Sequence, residues 1–184
     1  MDWKIIVKRC LEGDQGAWEM LVRTYSKKIF NLTYQFSGVY QEAEDLTQEI
    51  FLKLYKFLPK YDSNKNFNAW LVTLAKNHCI DHYRKTKLEK THRDEFSDHL
   101  IEDKAALSPE SEVLKKEKVK FVWQGLGELS PDIRMALIFR DIRGMSYNEV
   151  ADSLNLPIGT IKSRINRGRL QLAKYLKKYK EGKK

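Results

Sequence analysis

This chain has few long apolar runs, few cysteines and few prolines. No apolar stretch approaches the roughly 18 residues of a membrane span. Hydrophobic content of 42% with 32% charge also excludes a disordered chain, so a soluble globular protein is expected. Met1-Asp2-Trp3-Lys4 lacks the basic-then-apolar layout of a secretory signal. The expectation is therefore a cytoplasmic protein. Two cysteines, Cys10 and Cys79, do not make a disulfide framework in a reducing compartment. Neither a Walker-type loop nor a GxGxxG is present, and His78, His82, His92 and His99 lack a Ser or Cys nucleophile to serve. An enzyme, a nuclease included, is thus a weak reading, and no cofactor is implied. His78-Cys79-x-x-His82 has the residue types of a metal cluster. The i, i+4 spacing puts both histidines on one helix face, however, while Cys79 points elsewhere and no further ligand is near, so no metal is expected.

With four prolines and no convincing strand pattern, helical period dominates. Trp3, Ile6, Val7 and Cys10 mark a first helix that Gly13 ends. Asp14 can cap a second, with Ala17, Trp18, Leu21, Val22, Tyr25, Ile29 and Leu32 inward. A third runs from about Gln41 to Leu58, with Ala43, Leu46, Ile50, Leu54 and Phe57 inward, and Pro59 stops it. A polar turn, Lys60–Asn66, precedes a fourth helix from Phe67 to about Lys85, with Phe67, Trp70, Leu71, Leu74, Ala75 and Ile80 as its core side. Four such helices with short joints predict one compact bundle, residues 1–86.

Residues 87–111 read as an extended, acidic linker. Between 87 and 112 eight acids stand against four bases, and periodicity fades. A second unit, 112–184, follows. Its first helix covers roughly Glu112–Gly125. Ser130-Pro131 opens another, through Met135, Leu137, Ile138 and Ile142, which Gly144 closes. Ser146-Tyr147-Asn148-Glu149 is a capping box. Leu156-Pro157-Ile158-Gly159 is a tight turn, and Thr160 is placed to start a last helix with Ile161, Ile165, Gly168, Leu172 and Leu176 inward. Short helix, tight turn and longer helix together make a helix-turn-helix. Its second helix presents Lys162, Ser163, Asn166, Arg167 and Arg169 outward. Such a helix enters the major groove, where Arg can read guanine, Asn can read adenine, and either Lys or Arg can grip phosphate.

Charge agrees with this placement. Residues 160–184 hold ten Lys/Arg and one acid, Glu181, which accounts for the whole formal +9; the rest of the chain is balanced. A cationic block beside a patterned helix is the footprint of a polyanion binder, although a solvated tail would carry the same charge.

The two halves together resemble one family. DLTQEIFLKLYKFLPKYD followed by FNAWLVTLAKNHCIDHYRK is similar to the polymerase-binding and −10-recognition part of extracytoplasmic-function (ECF) sigma factors of the sigma-70 family. LSPDIRMALIFRDIRGMSYNEVADSLNLPIGTIKSRINRGRLQL is similar to their −35-recognition part. The resemblance implies an all-α protein. It would have an N-terminal four-helix region-2 domain and a C-terminal region-4 domain with a winged-helix-like helix-turn-helix and a basic tail, joined by the acidic linker. The implied function is to bind core RNA polymerase and direct promoter-specific initiation.

Residue by residue, the resemblance implies that Asp45, Gln48, Glu49 and Lys53 meet polymerase, at the β′ coiled coil; the β flap is a second implied docking point. Tyr61, Asn64, Lys65 and Asn77 correspond to the pocket for a flipped −10 base, with Arg84, Lys85 and Lys87 on phosphates. Lys162, Ser163, Asn166 and Arg167 match the −35 contacts, Arg164 and Arg169 look like phosphate contacts, and Thr160 can cap its helix and touch a phosphate. Asn166 stands where relatives can carry an aromatic. Asp81 and Arg84 are spaced to pair on one helix face. The linker would thread the polymerase's RNA path. An anti-sigma partner, promoter DNA and no membrane insertion are also implied. A stand-alone helix-turn-helix regulator is the main alternative; a degenerate, polymerase-binding interaction protein is another.

Overall fold

The computed structural model describes residues 2–91, 119 and 121–182. The acidic segment read as a linker lies largely outside them, as do Lys183 and Lys184. Every regular element among the described residues is helical, and none is long and apolar enough to cross a membrane.

Local chemistry sets the helix ends in the first unit. Helix α1 (Trp3–Leu11) is capped by Asp2. Helix α2 (Gln15–Ser37) is capped by Asp14, whose carboxylate accepts from the Ala17 N–H at 3.1 Å. Such a cap is worth about 1 kcal/mol. Between them Gly13 takes a φ of +87°, which a side chain would resist. Helix α3 (Tyr40–Phe57) runs into a single 3-10 turn, Leu58–Lys60, around Pro59. Helix α4 is Phe67–Thr91. It passes Lys85 and continues through residue 91, into the segment read as a linker. No proline or glycine interrupts residues 86–91, and the charged residues there are good helix formers.

The expected core is present. Leu21, Ile29, Leu32, Leu46, Ile50, Leu54, Leu58 and Leu71 are fully enclosed. Burying each such side chain contributes on the order of 1.5–3 kcal/mol. Val22, expected inward, is instead 39% exposed. Helices α2 and α3 are also stitched by hydroxyls. Thr33 Oγ1 donates to the Ala43 carbonyl at 3.0 Å, and Thr47 Oγ1 donates to the same oxygen at 2.6 Å. This fixes the register of α3, whose outer face concerns function below.

Much of the expected helix Glu112–Gly125 lies outside the described residues; in the second unit, helix α5 (121–127) continues two residues beyond Gly125. Helix α6 (Pro131–Leu137) has Pro131 in its first turn and widens into a π-turn over Ile138–Ile142. The widening is seen in the Arg143 N–H, which reaches back five residues to the Ile138 carbonyl at 2.9 Å. Gly144, with φ +69°, ends the segment. Helix α7 (Tyr147–Leu154) carries the expected capping box. Ser146 Oγ accepts from the Glu149 N–H at 3.2 Å, and Glu149 accepts from the Ser146 N–H at 2.7 Å. Asn155 adopts a left-handed φ of 51° in the turn, a conformation asparagine tolerates.

Helix α8 (Ile158–Gly182) starts two residues before Thr160. Thr160 therefore lies inside its first turn, which corrects the expectation that it caps the helix. Helix α8 crosses α6 closely at Gly168, where a Cβ would come within 2.7 Å of Ile133 and Leu137. Only glycine permits that approach. Helices α7 and α8 form the helix-turn-helix, and no β-hairpin wing accompanies it among the described residues.

Candidate nucleic-acid interface

The first turns of α8 present the outward side chains that the sequence selects. Ile161 and Ile165 are buried, which orients the helix, and Lys162, Ser163, Asn166 and Arg167 are exposed on the other side. They form one contiguous polar surface of the size that enters a major groove. Thr160 is half-buried at its edge. The two arginines expected on phosphates are already engaged. Arg169 forks onto Asp141, with Nε to Oδ2 at 2.9 Å and Nη2 to Oδ1. Arg164 Nη1 donates to Asp132 Oδ1 at 3.2 Å.

The −10 candidates lie on and before α4. Tyr61 donates its hydroxyl to the Lys65 carbonyl and packs edge-on against Phe67, with ring centroids 5.3 Å apart. This fastens the loop, whose turn Asp62 organises by accepting from the Asn64 N–H at 3.0 Å. Asn64 and Lys65 are exposed at its tip. Trp70 lies against Tyr61 at 5.0 Å and Phe67 at 5.8 Å, a packing role. Asn77, Arg84 and Lys85 are exposed further along α4. Arg84 does not pair with Asp81. Its Nη2 donates to Asp132 Oδ2 at 2.9 Å, on the other unit. Distance along the chain hid this partner, because Asp132 is 48 residues away.

The two units therefore meet along α4, and further contacts extend the seam. Thr73 Oγ1 donates to the Ser153 carbonyl at 3.2 Å, and Lys76 Nζ donates to the Leu154 carbonyl at 3.2 Å. Lys76 is buried, and desolvation lowers its pKa. A cavity of about 150 Å³ lies in this seam, and Asn77, Arg84, Asp132 and Arg164 all line it. Beyond it, Arg143 Nε donates to Gln35 Oε1 at 3.0 Å, and its Nη2 to the Lys28 carbonyl at 3.3 Å.

A residue that sequence reading missed anchors the other end. Arg134 is only 4% exposed, and its described hydrogen bonds go to carbonyl oxygens. Its guanidinium donates to the carbonyls of Phe36 (3.0 Å), Leu129 (3.3 Å) and Gly127, and lies over the rings of Phe36 and Tyr83. Burial lowers its pKa, though a guanidinium remains charged in proteins. The sequence signal was an arginine among the buried positions of α6.

The polymerase candidates share the outer surface of α3. Asp45, Gln48 and Glu49 are exposed and Lys53 is half-buried. Beside them stand two apolar side chains that sequence reading passed over, Leu52 at 71% and Tyr55 at 67% exposure. Their spacing from Gln48, at i+4 and i+7, was the available signal. Glu49 Oε2 meets His78 Nε2 of α4 at 2.6 Å, and His82 faces Glu42 at 3.7 Å. Both of these histidines thus face a glutamate on α3. Cys79 is enclosed in the core, where burial raises its thiol to about 12.

Comparison with known proteins places both units. Residues 21–89 match the family described as Sigma-70 region 2, and residues 122–172 match Sigma-70, region 4. The chain is 36% identical to an RNA polymerase sigma-H factor of Pseudomonas aeruginosa over 93% of its own length and 92% of that protein's. It is 32% identical to the ECF RNA polymerase sigma factor SigW of Bacillus subtilis over 93% and 95% of the two chains. Among solved structures, the sigma factor RpoE of Bartonella quintana, in complex with the anti-sigma factor NepR, superposes with a TM-score of 0.66 at 26% identity, covering 87% of this chain and 96% of that one. CnrH, in complex with the cytosolic domain of CnrY, shares the fold with a TM-score of 0.64 at 23% identity over 95% and 96%.

Proposed function

Because this chain belongs to the ECF sigma factors of the sigma-70 family, we propose that it binds core RNA polymerase and directs it to one promoter class. The reading is supported above all by two different surfaces in one chain. Helix α8 offers an exposed Lys162, Ser163, Asn166 and Arg167 face suited to duplex DNA. Helix α3 offers an exposed acidic and apolar face, Asp45, Gln48, Glu49, Leu52 and Tyr55, suited to a protein. A stand-alone regulator needs only the first.

The work done is binding, without a chemical step. Asp45, Gln48, Glu49 and Lys53 contact polymerase at the β′ coiled coil, with Leu52 and Tyr55 supplying apolar area, and the second unit docks at the β flap. Lys162, Ser163, Asn166 and Arg167 read the −35 duplex, while Thr160, Arg164 and Arg169 hold phosphates. Tyr61, Asn64, Lys65 and Asn77 then receive a base of the opened −10 strand. Extruding that base costs a few kcal/mol, which stacking and hydrogen bonds in the pocket offset. Arg84 and Lys85 grip the strand's backbone. The protein acts in the cytoplasm, associated with the nucleoid when active. An anti-sigma factor is the expected regulator, as NepR is the anti-sigma factor bound to the structural neighbour RpoE of Bartonella quintana.

The test is run-off transcription with purified core polymerase over a library of promoter sequences. The proposal expects initiation that depends on this protein and is confined to a narrow promoter class. Initiation at the same sites with and without the protein would reject it.

A further inference from the structure

Glu49 is held from beneath by a side chain that is itself out of a partner's reach. His78 Nε2 on α4 lies 2.6 Å from Glu49 Oε2 on α3. The Glu49 side chain is 51% exposed and that of His78 only 8%. The other ring nitrogen, Nδ1, is buried and meets no hydrogen-bonding partner. An ionised carboxylate only accepts, so the bond assigns the proton to Nε2 and makes His78 a neutral donor. A second proton would bury an unpartnered N–H, in line with the lowered pKa. Stability alone accounts poorly for this histidine. Leu71, Ala75 and Cys79 are fully enclosed on the same helix. An apolar residue at 78 would complete that stripe without leaving a buried nitrogen unbonded. What the histidine adds is its bond to Glu49.

We propose that His78 is a positioning residue for polymerase docking: its imidazole holds the exposed Glu49 carboxylate in the orientation that a cationic group of polymerase engages. The bond occupies Oε2 and leaves Oε1 for an outside donor. A neutral donor also leaves the negative charge of the carboxylate uncancelled, whereas a lysine or arginine in its place would neutralise it. Asp45, one turn earlier on α3, is exposed on the same side. A partner therefore meets two carboxylates, and the chemistry that fits them is cationic. A glutamate free on an open helix face samples several rotamers, and ordering it in a complex lowers affinity. A bond made before docking removes that cost, which is preorganisation. His82 stands in a looser version of the same relation, 3.7 Å from Glu42 and itself 28% exposed. The tight contact and the deep burial single out His78.

The inference rests on reading α3 as the polymerase-facing helix, and its test separates the two. Affinity of the full chain for sigma-free core polymerase is measured without DNA, for wild type, His78→Leu, His78→Gln, Glu49→Ala and the double variant His78→Leu with Glu49→Ala. His78→Leu should weaken docking about two- to tenfold, while its melting temperature stays level or rises. His78→Gln keeps an N–H donor and should restore most of the affinity. In the Glu49→Ala background the leucine should cost nothing further, because the carboxylate it would have freed is gone. His78→Met, an apolar residue that adapts to irregular space, repeats the comparison should the leucine variant fold poorly. Wild-type affinity in the leucine variant, no rescue by glutamine, or an equal loss with and without Glu49 overturns the positioning role and leaves the sigma-factor reading standing. A wild-type chain that does not bind core polymerase overturns both.

Discussion

Arg134 Nη1 donates to the Phe36 carbonyl at 3.0 Å across 98 residues of sequence, joining α6 of one unit to the C-terminal end of α2 in the other. The guanidinium caps carbonyls from both units and is covered by two rings. No single amine could reproduce that fork. Arg134→Ala leaves several buried carbonyls without a donor and should lower unfolding free energy by more than about 2 kcal/mol. Arg134→Lys should recover only part of it. Chemical denaturation of the three proteins checks both statements; equal midpoints would show that the carbonyls find other donors.

Gly168 makes a prediction about packing alone. Its absent Cβ lets α8 lie against Ile133 and Leu137 of α6. Gly168→Ala should destabilise the second unit by about 1–3 kcal/mol through overpacking. Alanine is the better helix former, so an exposed glycine would show the opposite sign. A thermal melt decides between them.

His78 predicts a pH dependence. Burial lowers its pKa below the ordinary 6.5, Lys53 and, more weakly, His82 add to the effect, and Glu49 opposes it without reversing it. Glu49, half in solvent, compensates too little to hold the imidazolium in place. Between the folded and unfolded pKa values the unfolded chain carries the extra proton, so stability rises with pH there. This contribution is complete above about pH 6.5 and is lost as pH falls through the folded value. Stability measured from pH 7.5 to 5 should therefore decline, and His78→Gln should flatten that decline. An identical slope in the variant would place the proton uptake elsewhere.

Arg167 tests base reading. It is exposed on the α8 face and, among the described residues, carries none of the internal ion pairs that occupy Arg164 and Arg169. Arg167→Ala should weaken −35-dependent transcription and relax preference at one base position, worth about 1–3 kcal/mol. Equal loss on every promoter would make it a phosphate contact instead.

Much of this was legible in the sequence because it is local. Asp14, the Ser146/Glu149 box and the apolar stripes fix helix type and most ends within a few residues of each other. The outward face of α8 follows from Ile161 and Ile165 by helical period alone. What the sequence concealed depends on partners far along the chain. Arg134 and Arg84 find theirs only once the units meet, and Asp81 stands closer in sequence to Arg84 than the Asp132 it actually binds. Helix α8 starts two residues before Thr160: Thr160 is a good capping residue by composition, but the turn around Asn155 ends sooner. Leu52 and Tyr55 escaped because their i+4 and i+7 spacing from Gln48 places them on its face without telling that the face is exposed.

The most direct test of the central claim is co-purification of this protein with sigma-free core RNA polymerase, at moderate salt and without DNA. Wild type should form a stoichiometric complex, and Asp45→Arg with Glu49→Arg should abolish it while circular dichroism remains unchanged. A wild-type chain that ignores core polymerase yet binds duplex tightly on its own would contradict the sigma-factor account and favour a conventional helix-turn-helix regulator.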